Sequence, residues 1–222
     1  MTLYAGNSLT GAIYKGDQLI CSSSGGGGGS GTRDVELTRI SDDSGNEIGT
    51  WYMNFVDANN NEFKVICLDA QYRLASCQFC SNTVTITGLP QYTACYIWWY
   101  EAKETATSNT QKILDFCTAN NYTSSSSTHC RSQSFTIDGI VYYGQLPNLR
   151  EVFDMWRHRI DITTMDITTS SYTSVTLNTY RNLWSSTQSS KANAWYMYRD
   201  GNFSGTNKTS NCVACPVLEI PV

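Results

Sequence analysis

The stretch that decides the fold is LWSSTQSSKANAWYMYRDGNFSGTNKTSNCVACPV, residues 183–217. Apolar residues recur in it at irregular spacing, and the large ones need a packed core around them. These residues, called the framework, are Trp184, Ala194, Trp195, Met197, Phe203, Pro216 and Val217. Hydrogen-bonding and aromatic side chains fill the positions between them, a mixture found on surfaces that adapt to a ligand. Gly201 and Gly205 are interpreted as turns. The stretch therefore predicts a rigid framework that carries a recognition surface.

Ten of the intervening residues are predicted to be mostly exposed, to cluster on one side and to bind the ligand: Gln188, Ser190, Lys191, Asn193, Tyr196, Tyr198, Asn202, Ser204, Thr206 and Asn207. The reason is the alternation of side chains along a strand. It sends Trp195 and Met197 to the core and turns Tyr196 and Tyr198 outward.

The order of the framework positions resembles the C-terminal part of C-type-lectin-fold variable proteins that are diversified by retroelements. The matching elements are Trp184–Thr187 (WSST), Ala194-Trp195, Gly201-Asn202, Lys208 and Pro216-Val217. The resemblance implies an α+β, C-type lectin fold with two helices and short antiparallel strands, in which this segment carries hypervariable ligand-binding residues. Ala214-Cys215 stand where the family usually has Val-Arg. The resemblance spans roughly residues 50–217 and is strongest in the last third.

Composition narrows the functional class. The chain has 222 residues and a net charge of −4 from 15 basic and 19 acidic residues. No basic stripe is visible, so we expect no nucleic-acid partner. No stretch approaches the roughly 20 apolar residues of a transmembrane helix, so we expect no membrane insertion. Residues 1–4 lack the features of a signal peptide, which predicts synthesis in a reducing cytosol.

The N-terminal region predicts an attachment arm at residues 1–21. Residues 3–9 and 13–19 share the pattern apolar-Tyr-x-Gly-polar-polar-Leu, with tight-turn dipeptides that indicate two small β-hairpins. This repeat resembles the openings of some phage tail and virion proteins, which implies that residues 1–20 dock on a virion or tail protein; a decorative arm is the alternative. Residues 22–32 are predicted to be a Gly/Ser linker, with an artificial linker as the alternative. Residues 33–222 are predicted to form the C-type-lectin-like ligand-binding domain.

Strands are predicted at residues 35–40, 51–56, 63–68 and 83–87. Residues 57–61, DANNN, join two of them as a hairpin. The aromatic segment at 92–100 is expected to be buried or to form a platform.

Two helices are predicted, near residues 109–119 and 148–161, with no further long helix. Ser108 with Gln111 suggests a capping box for the first, and Asn148 with Glu151 suggests one for the second. The second helix has a regular apolar stripe at Leu149, Val152, Phe153, Trp156 and Ile160. His158 lies opposite that stripe, and His129 and Cys130 are placed in a polar loop.

Nine cysteines leave three alternatives open. The pairs Cys77/Cys80 and Cys212/Cys215 could hold a structural zinc, form disulfides after release, or remain thiols. An odd total argues against a complete disulfide framework, and the long gap between the pairs argues against a compact zinc site. Cys212 and Cys215 are expected to face opposite sides of a strand. Buried thiols are therefore the favoured interpretation, with no metal and no cofactor.

These observations predict a receptor- or ligand-binding protein rather than an enzyme. We expect it to be displayed on a phage virion and to recognise a protein or glycan on a host cell surface, with a homo-oligomer possible. No catalytic residues are identified. The alternatives are an enzyme with the fold of the formylglycine-generating enzymes, for which Cys212 and Cys215 are the nearest reactive candidates, and a purely structural virion protein.

Overall fold

The structure of the protein is a computed structural model that describes residues 37–93, 102–157, 182–198 and 202–222, together with the backbone of two N-terminal strands. The chain divides into two units, Met1–Gly31 and Thr32–Val222. In the first unit, β1 (Ile13–Lys15) pairs antiparallel with β2 (Gln18–Cys21). The hairpin predicted at residues 3–9 and the linker predicted at 22–32 lie outside the described residues.

The first sheet of the second unit is antiparallel and has the strand order β13-β5-β4-β3. Its strands are β3 (Thr38–Ser41), β4 (Glu47–Val56), β5 (Glu62–Leu68) and β13 (Val217–Pro221). Asp57 closes the turn between β4 and β5, because its Oδ1 accepts hydrogen bonds from the amides of Asn59 and Asn61 at 2.8 and 2.9 Å. The hairpin predicted at residues 57–61 is therefore confirmed.

The second sheet has five strands in the order β11-β10-β9-β12-β6. They are β6 (Leu74–Gln78), β9 (Asn182–Gln188), β10 (Asn193–Tyr198), β11 (Phe203–Asn207) and β12 (Asn211–Ala214). All neighbours are antiparallel except β12 and β9, which run parallel at Val213 and Leu183. Sequence reasoning missed β6, because LASCQ lacks a long β-branched or aromatic run.

The strand predicted at residues 83–87 is wrong, because side chains replace a neighbouring strand as hydrogen-bonding partners there. The amide of Ile86 donates to Oε1 of Gln188 at 3.1 Å, and the Ile86 carbonyl accepts from Nε2 of Gln188 at 2.9 Å. The carbonyl of Val84 accepts from Nζ of Lys208 at 2.6 Å. The segment is therefore a loop whose polar backbone groups are satisfied by buried polar side chains.

A two-stranded hairpin formed by β7 (Ser134–Ile137) and β8 (Ile140–Tyr143) was not predicted. Its turn places Asp138 and Gly139 at positive φ, 51° and 75°. The Asp43 carboxylate accepts hydrogen bonds from both of their amides at 2.8 Å and holds the turn. A short 3-10 helix, Ala70–Tyr72, follows β5.

The first two helices are α1 (Ala106–Ala119) and α2 (Ser125–Ser132). The N-cap of α1 is Thr105, whose side chain accepts from the Ser108 amide at 3.0 Å, so the capping box predicted at Ser108 and Gln111 is wrong. The polar loop predicted to contain His129 and Cys130 is also wrong, because both residues lie in α2. The Ser124 hydroxyl caps α2 by accepting a hydrogen bond from the Ser127 amide at 3.3 Å. A run of serines is typical of a loop, but serine is also a favourable N-cap residue.

The third helix, α3 (Leu149–Arg157), begins with the predicted capping box. The Glu151 amide donates to Oδ1 of Asn148 at 2.9 Å, and the Asn148 amide donates to Oε2 of Glu151 at 2.7 Å. Leu149 and Val152 of the predicted stripe are fully buried, whereas Phe153 and Trp156 are half-buried. His158, Ile160 and the predicted end at 161 lie outside the described residues.

Two buried carboxyl groups meet where α1 and α3 begin. Both oxygens of Glu219 accept from the first amides of α1, those of Ala106 and Thr107, at 2.8 Å. Burial, together with the charge of Glu219, raises the pKa of Glu151 well above its usual value. A raised pKa favours the protonated form of Glu151, which reduces the repulsion between the two carboxyl groups.

Core residues cover both sides of the five-stranded sheet. One cluster joins Leu183 and Met197 of this sheet to Val152 of α3 and to Tyr52 of the four-stranded sheet. On the other side, the loop after β6 and helix α1 supply side chains that include Phe79, Ile86, Leu89 and Ile113. The described part of the chain is thus α+β as predicted, but it has three helices rather than two, because α2 forms where a loop was expected. None of its helices is long and apolar enough to span a membrane.

Candidate functional site

The predicted binding residues lie on or beside three adjacent strands, β9, β10 and β11. Strand β10 lies between the other two. Because side chains alternate along an extended strand, those of β10 point to both sides of the sheet. Trp195 and Met197 point into the core on one side, and Tyr196 joins a core cluster on the other. The predicted alternation is therefore confirmed, and so is the burial of both framework tryptophans, Trp184 and Trp195.

An aromatic row leads from the core to the surface on the Tyr196 side. Phe79 and Trp184 have ring centroids 5.7 Å apart, Trp184 and Tyr196 6.3 Å, and Tyr196 and Tyr198 4.8 Å, each pair edge to face. The indole of Trp184 donates to the carbonyl of Cys77 at 2.8 Å and anchors the inner end. Tyr198 forms the outer end and is 41% exposed. Its ring is therefore held in place by packed neighbours, which lowers the entropy lost on binding a ligand.

The prediction that Tyr196 is exposed is wrong, because its side chain is only 5% exposed. The loop after β6 and helix α1 cover that side of β10, and strand alternation alone does not reveal such a cover. Burial and a hydrogen bond with Tyr198 raise the pKa of Tyr196 to about 12, whereas a hydrogen bond with Ser204 lowers it. Tyr196 supports the surface residues Tyr198 and Ser204 from beneath.

Gln188 is also buried, contrary to the prediction that it is exposed. Its Nε2 donates to the carbonyls of Ile86 and Leu89 at 2.9 and 3.1 Å, and its Oε1 accepts from the Ile86 amide and from Nζ of Lys208. All these partners are internal. Gln188 therefore belongs to the framework, where it joins β9 to the loop after β6.

Lys208 is the framework residue whose role sequence reasoning missed. Its side chain is fully buried, and Nζ donates to the carbonyl of Val84, to Oε1 of Gln188 and to the carbonyl of Lys191, at 2.6, 2.7 and 3.1 Å. Burial lowers its pKa to about 8. The ammonium group thus holds together the loop after β6, strand β9 and the turn between β9 and β10. Lys208 is one of the positions that match the family pattern, and this match was the signal that could have identified its role. A single buried lysine produces no periodic pattern in the sequence.

The remaining eight predicted residues reach the surface to different degrees. Four are exposed: Lys191, Tyr198, Asn202 and Asn207. Four are half-buried: Ser190, Asn193, Ser204 and Thr206. These eight residues are named the outer set below.

The outer set does not lie on one side of the sheet, which corrects the expectation of a single cluster. Ser204 is the cross-strand partner of Tyr196, so it shares a side with Tyr198. Asn193 is the cross-strand partner of Asn207. Because side chains alternate along a strand, both asparagines lie on the side of Trp195, opposite to that of Tyr196. The outer set therefore follows the edge of the sheet formed by β11 and the turn between β9 and β10, rather than one flat face.

Gly205 lies inside β11 and not in a turn as predicted. A Cβ atom at this position would lie 2.5 Å from Oγ of Ser189. The turn between β9 and β10 therefore packs directly on the strand, and glycine permits the close approach. Gly201 lies outside the described residues.

The four CxxC cysteines do not converge on one point. Cys80 Sγ lies 3.7 Å from Cys117 Sγ, and Cys215 Sγ lies 3.7 Å from Cys67 Sγ. Cys212 and Cys215 belong to different core clusters, so they face opposite sides as expected, although Cys215 follows the end of β12 rather than lying in the strand. Within the described residues, no group of three or more His, Cys, Asp and Glu side chains is arranged to hold a metal ion. The zinc alternative thus has no support in this geometry.

The adjacent pair His129 and Cys130 lies on α2. Nε2 of His129 is 2.8 Å from the carbonyl oxygen of Tyr72, while Cys130 is fully buried. Burial raises the pKa of the Cys130 thiol well above its usual value. This thiol is therefore in an environment that disfavours a nucleophilic thiolate.

No protein-family model, no curated protein and no solved structure matches this chain.

Proposed function

We propose that this chain is a ligand-binding protein with a C-type lectin fold, displayed on a phage virion through its N-terminal arm. In this proposal the outer set contacts a protein or glycan on a host cell surface. The sequence resemblance supports the fold, and the order of helices followed by short strands in the second unit agrees with it. The arm, the virion and the host target rest on the N-terminal repeat and its resemblance to virion proteins.

The observation that carries the proposal is the contrast between a tightly bonded framework and a tolerant surface on the same strands. Gln188 and Lys208 are fully engaged in buried hydrogen bonds. Lys191 and Asn207 are nevertheless exposed three residues and one residue away from them, and Tyr198 is exposed on the neighbouring strand β10. Exchanging an exposed side chain usually changes stability by less than about 0.5 kcal/mol. The framework can therefore keep its shape while the outer set changes, as a diversified binding site requires.

The chemistry of the outer set suits a polar ligand surface. Tyr198 offers a large contact area at a small cost in conformational entropy, and the serine, threonine and asparagine side chains provide adaptable hydrogen bonds. Lys191 adds a positive charge at the turn between β9 and β10. This combination fits a protein or a glycan better than an apolar small molecule, which would need a concave apolar pocket.

The binding test uses the full chain, labelled with a fluorophore and incubated with a panel of bacterial cells. We expect saturable binding to one host, reduced at least tenfold by Tyr198→Ala, because interface aromatics contribute about 2 kcal/mol or more. Tyr143→Ala is the matched control, since Tyr143 is similarly exposed, at 49%, but lies on the β7–β8 hairpin. Equal loss in both variants, or no saturable binding to any host, contradicts the proposal.

Diversification has a separate genomic test. We expect a near-identical copy of the coding segment for residues 184–217 beside a reverse transcriptase, with differences confined to adenines. The differing codons should fall on the outer set and spare Gln188 and Lys208. Differences concentrated on framework codons would contradict the assignment of the outer set.

The two alternatives make different predictions. A purely structural virion protein would bury Tyr198 between chains, so Tyr198→Ala would disrupt an oligomer that light scattering detects. An enzyme using Cys212 or Cys215 would lose turnover of a thiol-containing peptide on Cys215→Ser. Both cysteines are buried, and Cys215 contacts Cys67, which argues against an accessible reactive thiol at either position.

A further inference from the structure

Two thiols meet beneath the aromatic row at the junction of the loop after β6 and helix α1. Cys80 Sγ and Cys117 Sγ are 3.7 Å apart, which is contact distance for two sulfur atoms. The segments that follow the two cysteines are joined: the Ser81 amide donates to the Thr123 carbonyl at 2.7 Å, and the Thr123 amide donates to Oγ of Ser81 at 2.9 Å. The Cys80 amide also donates to the carbonyl of Lys208 at 3.0 Å. The two thiols are therefore held side by side by the fold.

The surroundings of this pair favour one thiolate and one thiol. A hydrogen bond from Cys117, with the positive charge of Lys208 as a smaller contribution, lowers the pKa of Cys80 to about 6. The same hydrogen bond and burial raise the pKa of Cys117. Cys80 is thus the nucleophile of the pair, because the thiolate is the reactive form of cysteine.

We propose that Cys80 and Cys117 are a disulfide-forming pair that closes when the folded protein meets a low-molecular-weight disulfide. In the first step the Cys80 thiolate attacks one sulfur of the reagent, a mixed disulfide forms, and one thiolate of the reagent leaves. In the second step Cys117 loses its proton and attacks Cys80 Sγ, which releases the second half of the reagent as a thiol. The two cysteines are oxidised by two electrons, and the reagent is reduced to two thiols. The inference is independent of the proposed ligand-binding function.

Position distinguishes this pair from the other neighbouring cysteines. Cys67 and Cys215 are equally close, but they lie in the central core between the two large sheets. Cys77 and Cys212 are cross-strand partners, yet burial raises the pKa of both thiols to about 12, so thiolate is scarce there. Cys117, by contrast, lies in the last turn of α1, which is followed by exposed residues and can fray. In this proposal, local opening of the last turn of α1 admits the reagent to the pair.

The consequence of closure is a stiffer support for the outer set. The bond would link residues 37 positions apart and join the two segments that cover Tyr196. Constraining a loop of this length in the unfolded chain raises the melting temperature of a protein of this size by roughly 10 °C.

The test uses the full, folded chain, first reduced and then incubated with oxidised glutathione at neutral pH without denaturant. After acid quenching, alkylation and non-reducing chymotryptic digestion, mass spectrometry identifies the linked peptides. Cleavage after Phe79 separates Cys80 from Cys77, and cleavage after Tyr122 separates Cys117 from Cys130. We expect a Cys80–Cys117 cross-link, and a melting temperature roughly 10 °C higher that returns to its starting value on adding dithiothreitol.

Two variants complete the test. Cys117→Ser should remove the rise in melting temperature, while Cys215→Ser, which alters the equally close core pair, should keep it. The peptide mapping needs no variant, so a variant that fails to fold leaves the test decisive. Retention of both thiols, a glutathione adduct at Cys80 without the internal bond, or a cross-link between other cysteines would each overturn the proposal.

Discussion

The buried lysine allows a quantitative prediction. Replacing Lys208 with methionine keeps most of the side-chain volume and removes the ammonium group that donates to Val84, Gln188 and Lys191. Of these acceptors, Oε1 of Gln188 retains a second donor in the Ile86 amide. The substitution therefore tests the polar contacts of Lys208 with little change in packing.

The expected magnitude follows from two opposing contributions. Hydrogen bonds to a charged group contribute about 1.5–3 kcal/mol each, so three of them contribute roughly 4–9 kcal/mol. Burial opposes them: the fall in the pKa of Lys208 from 10.5 to about 8 corresponds to about 3 kcal/mol. We expect Lys208→Met to lower the free energy of unfolding by about 1–6 kcal/mol, the difference between these two contributions.

The assay is equilibrium unfolding in urea, followed by tryptophan fluorescence. Lys191→Met is the matched control: it makes the same chemical change at an exposed lysine beside the same network, and it should change the free energy of unfolding by less than about 0.5 kcal/mol. If Lys208→Met were as stable as the unsubstituted chain, the buried contacts would contribute no net stability. The assignment of Lys208 as a framework residue would then be wrong.

Further predictions concern the aromatic row, the acid pair and the arm. In urea unfolding, Tyr196→Ala should lower the free energy of unfolding by about 3 kcal/mol and Trp184→Ala by about 3–5 kcal/mol, because both side chains are buried. Tyr198→Ala should lower it by less than about 0.5 kcal/mol, because Tyr198 is exposed. Equal effects of the two tyrosine substitutions would contradict the burial of Tyr196. Because the pKa of Glu151 is raised in the folded state, its contribution to stability is complete below about pH 4.5 and declines as the pH rises toward the folded pKa. Glu151→Gln should therefore reduce the fall in melting temperature that is measured as the pH rises from 4.5. An unchanged dependence of the melting temperature on pH would rule out Glu151 as the titrating group. Deleting residues 1–20 should leave the main domain folded by circular dichroism but unable to join its assembly; normal incorporation or loss of folding would refute the modular arrangement.

Short-range patterns in the sequence correctly predicted several elements. The DANNN turn and the Asn148–Glu151 capping box are both present, because each depends on hydrogen bonds between residues two to four positions apart. The alternation in β10 is also present, since the geometry of an extended strand imposes it. Signals of this kind lie within one short window of the chain.

Two of the errors in the strand predictions arose where distant residues supply the partners. Residues 83–87 are β-prone but form a loop, because Gln188 and Lys208 satisfy their backbone groups from more than a hundred positions away. Strand β6 is short and weakly β-prone, and it is formed by pairing with β12 near the other end of the chain. No local window contains either partner.

The sequence by itself determined the α+β class, the existence of α1 and α3, and the two sets of side chains that β10 directs to opposite sides of its sheet. Tertiary structure alone decided which of those sides is covered. The loop after β6 and helix α1 close over Tyr196, so a tyrosine predicted to bind a ligand became part of the core. Alternation specifies the direction of a side chain relative to its own strand, whereas exposure depends on what packs against that strand from elsewhere in the chain.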